Sequence, residues 1–206
     1  MILVVALAYL LGAIPFSLIA GRLTRGIDLR GHGSGNLGAA NAFRTLGPVA
    51  GVAVLLLDAG KGAAAVAVAA LLWRDSAGLG RTDLELLAGL AAVAGHIWTV
   101  FGRFKGGKGV ATAAGVFAAI APTAFAACVG IWVVVVGLLK YISLGSILAA
   151  ACLPAAVHLT YTGGTGDRWR VFWVSVVVAV AVVARHRSNI SRLLHGNERK
   201  FSLRGG

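Results

Sequence analysis

Apolar runs, most of them about long enough to cross a bilayer, alternate along the chain with short glycine-rich and basic segments. The first run, Ile2 to Ala20, carries no charge. The others are Val49 to Trp73, Leu84 to Phe101, Val110 to Leu139, Tyr141 to Thr160 and Trp169 to Ala184. A helix crosses the hydrocarbon layer in about 20 residues. Val110 to Leu139 exceeds one untilted span, and Pro122 near its middle divides it into helices over Val110–Ala121 and Thr123–Leu139. The first of these reaches only about 18 Å, so it must borrow length from the glycine-rich segment before it or sit where the bilayer is thin. No run alternates in polarity at period two, which excludes a barrel. The pattern predicts an all-α membrane protein with seven transmembrane helices, some of them short, in a single domain over residues 1–206.

Composition agrees and adds a charge problem. Of 206 residues, 58% are hydrophobic and 13% charged, yet the net charge is +12. Soluble domains are about 25% charged. Two cysteines, Cys128 and Cys152, lie in apolar runs and make no disulfide framework or metal spacing. Placing the N-terminus outside and the C-terminus in the cytoplasm resolves the charge. Arg22–Gly47, Gly102–Gly109, Lys140 and Arg185–Gly206 then lie inside, and Arg74–Glu85 and Tyr161–Arg170 outside. Of the basic residues, only Arg74, Arg81, Arg168 and Arg170 fall outside, where Asp75, Asp83, Glu85 and Asp167 balance them. The whole excess faces the cytoplasm, where anionic lipid and acidic ligands account for it without nucleic acid. No basic residue precedes Ile2–Ala20, so that run reads as a span and not as a secretory signal.

Three polar segments hold more chemistry than an anchor needs. Gly31 to Arg44 contains Gly33, Ser34, Gly35, Asn36, Gly38 and Asn41 ahead of Arg44. Glycines let the backbone turn its N–H groups toward an anion, Ser and Asn add hydrogen-bonding groups, and Arg44 adds a guanidinium fork. The bland alternative is an interfacial turn with anchoring arginines. Gly33 to Gly38 has the spacing of a dinucleotide fingerprint, but no strand precedes it. Gly102 to Gly109 approaches a nucleotide P-loop, but Gly109 stands where Ser or Thr would hold magnesium. Its backbone amides with Lys105 and Lys108, at the start of a helix, still suit a phosphate; a plain positive-inside turn is the alternative. In the tail Arg185–Lys200, arginines alone would attract anionic headgroups. His186, Asn189 and Glu198 are not needed for that, and the first two share a helical face. Asp58 and Lys61, three apart within an apolar run, are either functional or a self-neutralising ion pair. His96 is either a packed or capping histidine or part of a site.

These segments together resemble the membrane glycerol-3-phosphate acyltransferases that use acyl-phosphate as donor, the PlsY family, over nearly the whole chain. Ser34 to Asn41 with Arg44 resembles a first signature. Gly95-His96, Phe101 and Phe104 to Thr112 resemble a second. Arg185-His186, Asn189-Ile190, Arg192 to Leu194, Gly196, Glu198 and Lys200 resemble a third. Asp58, Lys61-Gly62 and Ser143 to Ser146 also fit, while Ala40 departs where Thr is common. The resemblance implies a seven-helix fold in the bacterial cytoplasmic (inner) membrane, working as a monomer with its active site on the cytoplasmic face. It implies transfer of an acyl group from acyl-phosphate to the sn-1 hydroxyl of glycerol 3-phosphate, giving lysophosphatidic acid and phosphate, with no cofactor or metal.

Acyl-phosphate is already activated, so direct attack by the glycerol hydroxyl is the simplest chemistry, and catalysis reduces to positioning and charge stabilisation. Arg44, Lys105, Lys108 and the amides of Gly106, Gly107 and Gly109 are expected on the phosphate of glycerol 3-phosphate. Ser34 and Asn36 are expected to orient the attacking hydroxyl or the donor phosphate. His186 is expected to accept the proton, unless a substrate phosphate oxygen does, with Asn189 hydrogen-bonding a substrate. Asn41, His96, Ser143 and Glu198 complete the expected substrate-binding set, although Glu198 equally suits holding the basic tail by pairing with arginines. A transporter of organic phosphates is the main alternative, with a lipid-binding scaffold as a third. Against transport, intramembrane charge is sparse and lies near one face.

Overall fold

The computed structural model describes residues 1–74 and 78–201. Asp75 and Arg204, both used in the charge sorting, lie outside the described residues. The described residues form ten α-helices and no strand. The chain divides into two compact units, Met1–Ile120 and Ala121–Gly206.

The first unit holds α1 (Ile2–Ala13), α2 (Phe16–Arg25), α3 (Ala39–Leu46), α4 (Pro48–Leu72), α5 (Arg81–Ile97) and α6 (Val110–Ile120). The expected single helix over Ile2–Ala20 is instead broken at Ile14-Pro15 and continues to Arg25. Proline has no N–H to donate and keeps the residue before it extended; Ile14 has φ −57° and ψ 116°. The helical ladder restarts on the Pro15 carbonyl, which accepts from Leu18 N and Ile19 N. The Ala13 and Ile14 carbonyls are thereby released for side chains. Thr99 Oγ1 donates to Ala13 O at 2.5 Å, and Lys61 Nζ to Ile14 O at 2.8 Å.

α1, α4 and α5 share a core of Val4, Ala8, Ala65, Ala69, Leu84, Ala88 and Ala92. The small side chains let helix backbones approach closely, as at membrane helix interfaces generally. α4 and α6 pack backbone to backbone, since a Cβ at Gly62 would overlap the Thr112 carbonyl and one at Gly115 the Ala59 carbonyl. A second cluster, Leu18, Leu29, Leu37, Ala42 and Val54, fastens the polar segment between α2 and α3 onto α4. Leu29 in that segment is completely buried, so the segment is a packed structure and not a linker.

The second unit holds α7 (Pro122–Leu139), α8 (Ile142–Thr160), α9 (Thr165–Arg185) and α10 (Arg187–Leu194). α8 packs on both α7 and α9. The chain bends by 59° between α9 and α10, at His186.

Five helical stretches among the described residues are long and apolar enough to cross a bilayer: Ile2–Arg25, Pro48–Leu72, Arg81–Gly102, Pro122–Leu139 and Ile142–Thr160. The bent pair α9–α10 makes a sixth. α6, with 11 residues, spans only about 16 Å at 1.5 Å per residue.

Candidate active site

In the first unit, the polar segment after α2 is organised by Asn41 on α3. Its Oδ1 accepts from Ser34 N at 2.8 Å, and its Nδ2 donates to Leu29 O at 3.2 Å and His32 O at 3.1 Å. Asn41, expected on substrate, is buried, and both ends of its amide are engaged within the chain, where they hold the turn carrying Ser34. Gly33 has φ +63°, and a Cβ there would overlap Asn41 Oδ1, so the turn closes on the Asn only with glycine in place. Ser34 and Arg44 are exposed, and Asn36 is half-buried. Asp28 caps the short 3₁₀ turn Leu29–Gly31. Hydrogen bonds from the Arg30 side chain and backbone hold the Asp28 carboxyl down at about 2.

The second basic segment folds back on the end of α5. Arg103 and Phe104 take φ +55° and +60°, left-handed values unusual for residues with a side chain. This reversal brings Gly106 N to Ile97 O at 3.1 Å and Gly107 N to His96 O at 3.0 Å, satisfying carbonyls at the helix terminus; the two amides expected on a substrate phosphate therefore donate within the fold instead. Gly106 and Gly107 are buried, Lys108 is half-buried and Lys105 is exposed. Gly109, at φ +83°, leads into α6.

Behind this turn lie Asp58, Lys61 and His96. Lys61 Nζ is 2.8 Å from Asp58 Oδ1, and both side chains are 2% exposed. His96 Nδ1 stands 3.5 Å from the same oxygen. Lys61 also lies over the Phe16 ring, 5.6 Å from its centroid. Asp58, Lys61, His96, Thr99, Gly106 and Gly107 line one small pocket with the residues around the Ile14-Pro15 break.

In the second unit, Glu198 is a hub. Its Oε1 accepts from Ser143 Oγ and Asn189 Nδ2, each at 2.7 Å, and its Oε2 from Arg192 Nε at 2.7 Å. Burial works to raise the Glu198 pKa, and the three hydrogen bonds outweigh it, leaving the carboxyl below the usual glutamate range. The expectation that Glu198 holds the tail by pairing with an arginine describes this contact. Ser143 and Asn189, expected on substrate, are both wired to it. The tail then runs on so that Phe201 N reaches Lys140 O at 2.5 Å.

His186 sits at the bend, buried, with Nδ1 2.8 Å from Val182 O. A carbonyl can only accept, so Nδ1 carries the hydrogen, and Nε2 is the basic nitrogen of the neutral ring.

Residues 2–196 match the family model for glycerol-3-phosphate acyltransferase. The chain belongs to that family. A glycerol-3-phosphate acyltransferase of Desulforudis audaxviator (strain MP104C) is 47% identical over 203 residues, covering 98% of this chain and 96% of that protein. One from Synechococcus sp. (strain CC9902) is 45% identical over 204 residues, covering 99% and 96%. Among solved structures, the chain resembles PlsY (YgiH), an integral membrane glycerol 3-phosphate acyltransferase, in its glycerol 3-phosphate form, with a TM-score of 0.87 and 37% identity over 98% of this chain and 95% of that one. For the lysophosphatidic acid form the values are 0.84 and 36%, with the same coverage. Membership of the glycerol-3-phosphate acyltransferase family makes the chain an enzyme of phospholipid synthesis and leaves the transporter alternative without support.

Several features of the structure had no specific expectation attached to them. Arg192 stood in the third signature, but no pairing with Glu198 was singled out for it among the basic residues of the tail. The positive φ at Arg103-Phe104 has no sequence signal, since neither residue is Gly or Asn. Pro15 was visible inside the first run and should have marked the break.

Proposed function

We propose that the chain transfers an acyl group from acyl-phosphate to the sn-1 hydroxyl of glycerol 3-phosphate, releasing lysophosphatidic acid and phosphate. The carrying observation is the Gly106–Gly107 turn, a rigid glycine corner flanked by Lys105 and Lys108 and set at the entrance to α6. It suits a phosphate dianion, with helix-start dipole and lysine charge acting together. Arg44, Lys105 and Lys108 bind the phosphate of glycerol 3-phosphate, the turn positioning the two lysines while its own Gly106 and Gly107 amides stay on backbone carbonyls. Ser34, held through its backbone by Asn41, and Asn36 orient the attacking hydroxyl. His186 accepts the hydroxyl proton at Nε2 as the hydroxyl oxygen attacks the acyl carbon and the C–O bond to phosphate breaks. Asn189 and Ser143 are set by Glu198.

Seven crossings follow if α6 is a short span between the glycine turn and Pro122, with the N-terminus outside and the site on the cytoplasmic side of the inner membrane. The basic excess of Gly102–Gly109 and the tail supports that orientation.

The test is an assay of the purified protein with acyl-phosphate, acyl-CoA and acyl carrier protein as rival donors. Only acyl-phosphate should give lysophosphatidic acid; turnover with either of the others alone would overturn the donor assignment. Lys105→Ala should raise the KM for glycerol 3-phosphate by about tenfold to a hundredfold, as expected for a charge-assisted phosphate contact, with little change for acyl-phosphate. A rise confined to the donor KM would reverse the phosphate assignment.

A further inference from the structure

Asp58, Lys61 and His96 are buried titratable groups that the transfer chemistry leaves unused. Burying an ion pair in an apolar helix bundle is no route to stability, because apolar residues of similar volume usually do as well or better. Their arrangement is also more specific than a staple between helices. Asp58 Oδ1 faces Lys61 Nζ at 2.8 Å and His96 Nδ1 at 3.5 Å. Lys61 is tied in turn to the Ile14 carbonyl at the break in the first span. The far edge of the His96 ring packs against Gly107 so closely that a Cβ there would overlap Nε2. The carbonyl of the same histidine accepts from Gly107 N at 3.0 Å. One residue therefore grips Gly107 twice, by ring and by backbone, and Asp58 sits behind the ring.

We propose that Asp58 and His96 are positioning residues for acyl transfer. Asp58, fixed by Lys61 and the Ile14 carbonyl, sets the orientation of the His96 ring. The ring fixes the Gly106–Gly107 turn, and the turn places Lys105 and Lys108 on the substrate phosphate. The last link rests on the phosphate assignment made above. None of the three touches the reacting atoms.

Three variants test the relay. Asp58→Asn combined with Lys61→Met removes both charges together and so strands neither. This variant should fold and elute as the parent does. Its KM for glycerol 3-phosphate should rise about tenfold, since small misplacements of a binding group carry costs of this order, while the acyl-phosphate KM stays put. Amide hydrogen exchange over residues 104–109 should accelerate about tenfold as the turn loosens. His96→Gln, with the ion pair intact, should produce the same two changes. The triple variant should be no worse than either, because residues acting through one ring do not add. Parental KM and exchange in the charge-free variant would make the pair a mere staple and overturn the proposal, as would additive losses in the triple variant. Lys105→Ala separates the two layers. If it leaves the glycerol 3-phosphate KM unchanged, the phosphate assignment falls, and the exchange data still decide whether Asp58 positions the turn.

Discussion

Glu198→Ala should reduce kcat/KM by more than about a hundredfold and free the tail from α8. The carboxylate takes three hydrogen bonds at 2.7 Å while only 2% exposed. Removing it leaves the buried Ser143 and Asn189 donors without their acceptor, at about 1–3 kcal/mol each. Arg192 is 41% exposed and regains water, so its loss counts for little. A penalty of several kcal/mol falls on a segment whose contacts beyond this hub include the Phe201–Lys140 backbone bond and Lys200 over the Tyr141 ring. Limited proteolysis should cut the variant after Leu194 at protease levels that spare the parent, and steady-state kinetics should show the loss mainly in kcat. The pH dependence has a definite sign. The folded-state pKa of Glu198 is lowered, so its contribution is complete above the ordinary glutamate range and disappears as pH falls through and below that range.

Gly107→Ala is expected to be as damaging for a steric reason. The added methyl would overlap the His96 ring and the Leu37 carbonyl together. A carbonyl in the main chain cannot swing aside as a flexible side chain can, so the turn itself must move. Overpacking of this kind costs about 1–3 kcal/mol or more, and here the displaced turn carries Lys105 and Lys108, the lysines assigned to the phosphate. The KM for glycerol 3-phosphate should rise by more than about a hundredfold. Gly60→Ala is the matched control: it lies in α4, and a Cβ there meets nothing within 4 Å. Its activity should be parental and its Tm equal or higher, since alanine is favoured over glycine in a helix by about 1 kcal/mol. Equal damage from both variants would show that an added methyl is disruptive wherever it is placed, and the specific collision would then explain nothing.

The helices were legible because apolar periodicity and proline act locally. α4, α6, α7 and α8 begin and end within one residue of the runs predicted for them. The residues of the two basic segments and the tail were legible too, because glycine, lysine and asparagine are costly or pointless in a plain anchor. Their division of labour was not. Asn41 and Ser34 look equivalent in sequence, yet one is buried with its amide engaged and the other is exposed. The difference depends on Leu29 and His32 offering carbonyls from several residues away. The same holds for His96, whose neighbours Asp58 and Gly107 come from different segments. Spacing along the chain carries no record of such encounters. α3 was missed because its eight residues follow a glycine-rich stretch and show too little periodicity to stand out.

The break at Ile14-Pro15 changes what the first span is for. Most membrane enzymes tolerate exchange of an N-terminal anchor, since any run of greasy residues will insert. Here two carbonyls exported by the break receive Thr99 from beyond α5 and Lys61 from α4. Residues 2–25 are therefore a fitted part and not a handle. Fusing a generic apolar anchor in their place should deliver the protein to the membrane and leave it inactive, and complementation of a strain lacking the activity would show this directly.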